Sequence, residues 1–298
     1  MDRIRESRIS GGTDMNGSIE QTIVPSIGQI MESRRRLGNP YAYLDGSGAF
    51  SATMPPMEAL IDPVNASRRS KRHSNRQIER QATDLLKTMW NNRSTLWRDT
   101  PPSDPIEIID PARAFEIFGF SFSHEEDLGK YYGDNGFLKV AGLINNDDKT
   151  VQVSNQFPQS IRMFTAAHEL GHAVLHNLSG SLHRDRPVDG SSFSRDCIEY
   201  EADKFATYFL MPAKLVMARF MEIFGTESFS LNEDTAFALQ CRPLSEIRER
   251  CRTSRELSQL LASAGSYNGR FFPSLANQFR VSIEAMAIRL EELSLVEG

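Results

Sequence analysis

The sequence predicts an α+β fold in which a small antiparallel sheet precedes most of the helices. Between residues 120 and 154, short segments alternate apolar and polar side chains, as half-buried strands do. From residue 76 onward, other segments repeat apolar residues at three- and four-residue spacing, the period of an amphipathic helix. We therefore predict a mixed domain over residues 75–225 and a helical C-terminal region over residues 226–298 that ends in a helix-turn-helix-like pair.

Residues 1–74 mix Gly, Ser, Pro, Met and Arg without helical or strand periodicity, so we expect a variable, disordered N-terminal extension. Its end is the basic run SRRSKRHSNR (67–76). This run is either a patch for nucleic acid or an acidic partner, or a solvated linker leading into a helix, and we favour the linker. The net charge of −5 argues against a protein whose whole surface binds nucleic acid.

Helix signals begin near Arg76, and the apolar residues that follow share one helical face. They are Ile78, Ala82, Leu85, Leu86, Met89 and Trp90. Asp110 followed by Pro111 predicts the N-cap and first position of a second, short helix, which ends at Gly119. Two further helices are predicted over CIEYEADKFATYFL and AKLVMARFMEIF, separated by Met211 and Pro212.

The predicted sheet consists of FSFS (120–123) and a hairpin over residues 137–154. In the hairpin, GFLKVAGLIN and TVQVSN flank the turn NDDK.

The C-terminal stretch SLANQFRVSIEAMAIRLEELSL predicts two short helices that are capped by Ser274 and Ser282 and hinged at Arg280. This is helix-turn-helix spacing, but a helix that reads DNA presents basic or amide side chains to base edges. The second helix carries one arginine and three glutamates: Arg289, Glu284, Glu291 and Glu292. We expect it to pack or dock a partner, and nucleic-acid binding to be weak or absent.

The three cysteines are odd in number and form no C-x-x-C pair, which argues against a disulfide framework and against a cysteine-ligated zinc. The first residues lack the apolar run of a signal peptide, and no stretch of about eighteen apolar residues occurs. We expect a cytoplasmic protein.

The segment FTAAHELGHAVLH carries the pattern H-E-x-x-H. On a helix, His168 and His172 lie one turn apart and about 40° apart around the axis, so both imidazoles can bind one ion. Glu169 lies at the edge of that face, where a carboxylate can accept a proton from an attacking water. The alternative is a helix whose histidines bind no metal.

A third ligand is needed. His176 lies about 12 Å along the axis from His168, so it cannot share the ion, and we expect it to be structural or to support a ligand. Glu199 and Asp203 share one face of the next helix, which makes Glu199 the predicted third ligand and Asp203 the acceptor of a ligating histidine's outer N–H. Glu201 points about 200° away from Glu199, and we expect it to be solvated.

These motifs resemble known proteins. HELGH followed by ExEAD is similar to the gluzincin arrangement, and three segments together resemble the ImmA/IrrE family of bacterial metallo-endopeptidases. The segments are RMFTAAHELGHAVLH, EYEADKFATYFLMP and LANQFRVSIEAMAIRLEEL. The resemblance covers residues 76–221 and 274–295. The extension and residues 226–270 lie outside it, which leaves the substrate and the regulation open.

The resemblance implies a zincin-like peptidase domain that binds Zn2+ through His168, His172 and Glu199, with Glu169 as the catalytic residue. It also implies a protein substrate, which in known members is a helix-turn-helix repressor whose cleavage releases stress or mobile-element genes. Zinc peptidases generally hold a substrate as an added strand, so the edge of the 137–154 hairpin is the expected cradle. The candidates for an oxyanion-stabilising group are Tyr131, Tyr132, His183 and Tyr208.

Three functions compete on these observations. The first is a narrow-specificity zinc endopeptidase. The second is a non-proteolytic metal-containing sensor that sequesters a regulatory partner. The third, a DNA-binding regulator, rests only on the basic run and the C-terminal pair. Glu169 favours the enzyme, because a purely structural zinc needs no base beside it.

Overall fold

A computed structural model describes residues 73–133, 136–176, 183–184, 197–240 and 243–297. The predicted disorder of the extension falls almost wholly outside these residues, and so does most of the loop between the two motif helices. Within the described part, no helix is long and apolar enough to cross a membrane.

The first helix, α1 (Asn75–Asn91), starts where the periodicity predicts. Ser74 is its N-cap and forms a capping box with Gln77, which satisfies backbone donors that the first turn leaves unpaired. All six residues of the predicted apolar face are buried. A four-residue helix α2 (Arg93–Leu96) and a 3-10 turn (Pro105–Ile108) lead to α3 (Pro111–Ile117), which Asp110 caps as predicted. Gly119 follows with a φ of 73°.

The main sheet contains β1 (Ser121–Glu125), β4 (Gly142–Asn145), β5 (Thr150–Ser154) and β6 (His183–Arg184), in the order β1-β5-β4-β6. The β4–β5 pair is antiparallel, as predicted for the hairpin, and β6 pairs antiparallel with the other side of β4. The β1–β5 pair is parallel, so the sheet is mostly antiparallel with one parallel pair at its edge. The chain runs through other strands between β1 and β5, and this long connection lets β5 align parallel to β1.

The predicted first strand of the hairpin is two strands. Residues up to Lys139 form β3 (Gly136–Lys139), which pairs with β2 (Lys130–Gly133) in a separate two-stranded sheet. Val140 and Ala141 are both buried, which interrupts the alternation of the two faces, and the chain then enters β4. The hairpin is therefore β4–β5, shorter than predicted.

The two motif helices are α4 (Gln159–Leu175) and α5 (Cys197–Leu210). Helix α4 lies against β4 and β5, and α5 packs between α4 and α1. Helix α5 ends before Met211, and α6 (Ala213–Phe224) begins after Pro212, as predicted. The core of this region is aromatic, with fully buried Phe205 and Phe209 on α5 and Phe220 on α6.

The C-terminal part begins with α7 (Glu233–Gln240), α8 (Leu244–Arg250) and α9 (Ser254–Ser263). Helices α8 and α9 are separate because Thr253 caps the start of α9 in a capping box with Glu256. A small hairpin, β7 (Ser266–Tyr267) and β8 (Arg270–Phe271), precedes α10 (Leu275–Gln278) and α11 (Ile283–Glu292). Ser274 and Ser282 cap these last helices as predicted.

Gly171 sets the distance between α4 and α5. A Cβ atom at this position would lie 3.1 Å from the Cα and O atoms of Ala202 and 3.1 Å from Cβ of Phe205. These atoms are backbone or are fixed directly to it, so they cannot rotate away. The mid-helix glycine is therefore explained by close helix packing, as its position in the motif predicts.

We predict that Gly171→Ala lowers the unfolding temperature. In an open helix the change would stabilise by about 1 kcal/mol, whereas overpacking typically costs about 1–3 kcal/mol. Thermal denaturation of the full chain checks this, with Gly265→Ala as the matched control, since a Cβ there meets only Phe272 O at 3.8 Å. An unchanged or raised unfolding midpoint for Gly171→Ala would show that α4 and α5 can accommodate a methyl group at this contact.

Candidate metal centre

Helix α4 buries its motif residues completely. His168 is 2% exposed, and Glu169 and His172 are not exposed at all. Helix α5 and the strands β4 and β5 cover this part of α4. Burying two imidazoles and a carboxylate without partners costs free energy. Their burial side by side therefore indicates a functional site.

The three predicted ligands lie together. The Nε2 atoms of His168 and His172 are 3.0 Å apart. A carboxylate oxygen of Glu199 lies 3.3 Å from His168 Nε2, and its other oxygen lies 3.6 Å from His172 Nε2. Zinc–ligand bonds of roughly 2.0–2.2 Å in tetrahedral geometry place donor atoms about 3.3 Å from one another. The donor set and its spacing therefore fit a zinc ion.

Asp203 contacts the other side of the first ligand. Its carboxylate oxygen Oδ1 lies 3.0 Å from Nδ1 of His168. If Nε2 of His168 faces a metal, Nδ1 carries the proton and donates it to this carboxylate. The structure thus brings Asp203 to the position that its spacing from Glu199 predicts.

Glu169 lies against the start of β4. A Cβ atom added to Gly142 would meet Cγ of Glu169 at 3.6 Å and Cγ2 of Thr165 at 2.5 Å. The absence of a side chain at Gly142 therefore leaves room for α4 and for the Glu169 side chain. Glu169 is fully buried, so its carboxylate is shielded from bulk water.

The prediction that Glu201 is solvated was wrong. Glu201 is 2% exposed and accepts hydrogen bonds from the backbone N–H of His73 at 2.8 Å and from the imidazole of His73 at 2.6 Å. Its carboxylate also lies 3.2 Å from Nε2 of His176. Phe205 and Phe209 follow Glu201 by four and eight positions, so they share its side of the helix. The two buried phenylalanines on this side of α5 indicate that Glu201 is buried as well.

His176 bridges this cluster to the second ligand. Its Nδ1 atom lies 3.1 Å from Nδ1 of His172. Burial lowers the pKa of His176, and the hydrogen bond with the neighbouring Glu201 only partly opposes this. Burial also acts to raise the pKa of Glu201, but the hydrogen bonds from His73 and His176 outweigh it and the pKa lies below its usual value. The prediction that His176 supports a ligand agrees with this contact.

Of the four candidates for an oxyanion-stabilising group, the structure describes the side chain of Tyr208. Tyr208 packs on the opposite side of α5, where the guanidinium of Arg289 lies 5.1 Å from its ring centroid. Burial raises the pKa of Tyr208. The side chains of Tyr131, Tyr132 and His183 lie outside the described part of the structure.

The expected substrate edge is partly paired. Strand β4 is flanked by β5 on one side and by β6 on the other, where Leu143 pairs with Arg184 and Ile144 pairs with His183. Near the same end of the sheet, Arg162 donates a hydrogen bond to Asn155 at 2.7 Å. An added peptide strand would have to take the place of β6 along these two residues.

The C-terminal pair docks on the motif helices. Arg289, the one arginine of α11, is 3% exposed and donates to the carbonyl of Met211 at 3.0 Å. Glu292 accepts from Lys204 on α5 at 3.0 Å. Arg255 on α9 forms two hydrogen bonds of 2.8 Å with Glu291. The side chain that would read a base edge is therefore used inside the protein.

Comparison with known proteins matches residues 122–229 to the family model of the IrrE N-terminal-like domain, Peptidase_M78. No curated protein sequence matches the chain. The matched segment spans the sheet, both motif helices and α6, so it includes every residue of the candidate metal centre except His73. This match confirms the predicted resemblance to the ImmA/IrrE family.

We predict that the purified protein binds one zinc ion per chain and that His172→Ala and Glu199→Ala lose most of it. Each change removes one of three donors, and an incomplete set holds the ion weakly. Elemental analysis after dialysis measures the metal. Exposed His124→Ala is the matched control and should keep the full amount. Zinc retained in both ligand variants would show that the ion binds elsewhere.

We also predict that any DNA binding is weak and salt-sensitive, since α11 commits Arg289 to the protein interior and exposes Glu284. Electrophoretic mobility shifts with specific and random duplexes test this. A sequence-dependent shift that survives about 200 mM salt would contradict the prediction.

Proposed function

Given the membership of residues 122–229 in the ImmA/IrrE family of peptidases, we propose that the chain is a cytoplasmic, zinc-dependent endopeptidase of narrow specificity. Its substrate is a protein, and a helix-turn-helix transcriptional repressor that controls a stress or mobile-element response fits the family resemblance best. The family match itself supports the coarser statement that the domain is a metallopeptidase.

One observation carries the proposal: a buried carboxylate that is not part of the ligand set lies beside a zinc-type donor set. His168, His172 and Glu199 supply two nitrogens and one carboxylate, which is a donor set of catalytic rather than structural zinc sites. Glu169 follows the first ligand directly and shares its buried surroundings.

Zinc held by these residues would polarise the scissile carbonyl and make the attacking water more acidic. Glu169 accepts a proton from that water as the water oxygen bonds to the carbonyl carbon. The same carboxyl group then delivers the proton to the nitrogen as the carbon–nitrogen bond breaks, so Glu169 ends each cycle ionised. Asp203 holds the Nδ1 proton of His168, which keeps Nε2 of that ligand directed at the site.

Access of the substrate depends on the sheet. A peptide that added to β4 as an antiparallel strand would run past Gly142, which lies against the Glu169 side chain. The pairing of β6 with Leu143 and Ile144 restricts that approach. This arrangement supports narrow specificity, because an arriving segment must compete with a strand of the protein itself.

The alternative is a sensor that binds metal and sequesters a regulatory partner without cutting it. Both functions use the same ligands, so metal content does not separate them. Only the enzyme requires the carboxylate of Glu169 as a proton acceptor.

We predict that Glu169→Gln leaves zinc content and folding unchanged while cleavage of a co-expressed repressor falls by about 10²- to 10⁴-fold. The substitution preserves shape and removes only the proton acceptor. Intact mass spectrometry of the repressor measures cleavage, and elemental analysis measures zinc. The exposed Glu227→Gln is the matched control and should cleave as the wild type does.

The choice of repressors is set by genetic neighbourhood, beginning with small helix-turn-helix proteins encoded beside this chain. If the wild type cuts none of them while wild type and Glu169→Gln relieve repression equally, the sensor replaces the enzyme.

A further inference from the structure

The proposed mechanism makes no use of three residues that lie behind the second ligand: His73, His176 and Glu201, of which His176 contacts His172. We propose that they form a hydrogen-bonded chain that positions His172 and strengthens its hold on the metal. This inference rests on the metal site proposed above, and it names the residues that hold one of its ligands in place.

The direction of every bond in this chain follows from the metal. With Nε2 of His172 facing the ion, Nδ1 carries the proton and donates to Nδ1 of His176 across 3.1 Å. His176 must then carry its own proton on Nε2, which lies 3.2 Å from Oε2 of Glu201. One tautomer of each imidazole therefore satisfies the chain without any charged histidine.

Glu201 ends the chain of hydrogen bonds by accepting three of them. Its Oε2 accepts from His176 and, at 2.6 Å, from Nδ1 of His73, while its Oε1 accepts the backbone N–H of His73 at 2.8 Å. A carboxylate offers acceptors only, and all three neighbours are donors in this arrangement. A buried carboxylate that is satisfied in this way can carry its charge inside the protein.

The two histidine ligands are thus supported in different ways. His168 donates directly to Asp203 at 3.0 Å. His172 is one turn farther along α4, out of reach of that carboxylate, and instead reaches Glu201 through His176. Both routes end at a carboxylate on α5, so a single helix orients both imidazoles and makes their metal-binding nitrogens more basic.

The same three side chains could also be regarded as a second metal site, because their donor atoms lie within 4.8 Å of one another. Two observations favour hydrogen bonding. The 2.6 Å separation between His73 and Glu201 is that of a hydrogen bond and is shorter than the roughly 3.3 Å between two donors on one tetrahedral ion. His176 also uses both ring nitrogens, one toward His172 and one toward Glu201.

The chain ends at His73, the residue directly before the N-cap of α1. His73 is separated from Glu201 by 128 positions, yet both its backbone and its side chain bind that carboxylate. The start of α1 is therefore part of the support of the metal centre, which extends this support beyond the family-matched segment.

The test is the zinc affinity of the full chain, measured by competition with a zinc chelator, for Glu201→Gln, His176→Phe and His176→Gln. Outer partners of metal-bound histidines are worth roughly 10- to 100-fold in metal affinity. We expect a loss of this size for Glu201→Gln and His176→Phe. His176→Gln, whose amide can still accept and donate, should lose less, and His73→Ala, at the end of the chain, should lose less than Glu201→Gln.

Controls separate positioning from folding and from failure of the metal site. His124→Phe and Glu227→Gln, which change the same residue types at exposed positions, should bind zinc as the wild type does. The visible spectrum of the cobalt-substituted protein should shift in Glu201→Gln, since a reoriented His172 changes the ligand field, and unfolding of the metal-free forms reports stability separately.

The outcomes are distinct. If zinc affinity and the cobalt spectrum are unchanged in Glu201→Gln while His172→Ala loses zinc, the proposed support of His172 is wrong and the metal site itself is not affected. Two zinc ions in the wild type and one tightly bound ion in Glu201→Gln would replace the chain with a second metal site. A wild type that binds no zinc would remove both proposals.

Discussion

The close approach of α4 and α5 at Gly171 is the constraint on which the site depends. Contact between Gly171 and the backbone of Ala202 places the second motif helix within reach of the first. Only at this separation can a side chain as short as glutamate extend from α5 to within 3.3–3.6 Å of two imidazoles on α4. A wider spacing would leave two buried histidines without a third donor, at a considerable desolvation cost.

Helix α5 performs several tasks because its buried face is broad. Glu199 and Asp203 form one edge, the phenylalanines Phe205 and Phe209 fill the centre, and Glu201 forms the other edge. Asp203 contacts His168, Glu201 contacts His176 beside His172, and Glu199 lies near Nε2 of both His168 and His172. The apolar centre excludes water from between them, so each hydrogen bond acts in a medium of low dielectric constant and is correspondingly stronger.

The C-terminal helices are tied to this arrangement by arginine side chains. Arg289 donates to the carbonyl of Met211, at the end of α5, and its ring contact with Tyr208 buries the guanidinium further. Arg280 has a φ of 56° at the hinge between the last two helices and donates to the carbonyl of Ile109. These two arginines therefore hold the last helices against α5 and the segment before α3.

The sequence by itself determined those features that depend on local spacing. The four-residue interval of His168 and His172, the four-residue interval of Glu199 and Asp203, and the capping residues Asp110, Ser274 and Ser282 all follow from the geometry of one helix. These intervals predicted which side chains share the face where His168, His172 and Glu199 lie together.

Tertiary structure alone decided the features that join distant segments. The parallel pairing of β1 with β5, the break of the hairpin at Val140 and the covering of β4 by β6 depend on which strands meet, which alternation within a strand does not encode. The contact of His73 with Glu201 spans 128 positions and has no period to reveal it. Periodicity locates the faces of a helix, whereas the partner of each face is chosen by the packing of the whole chain.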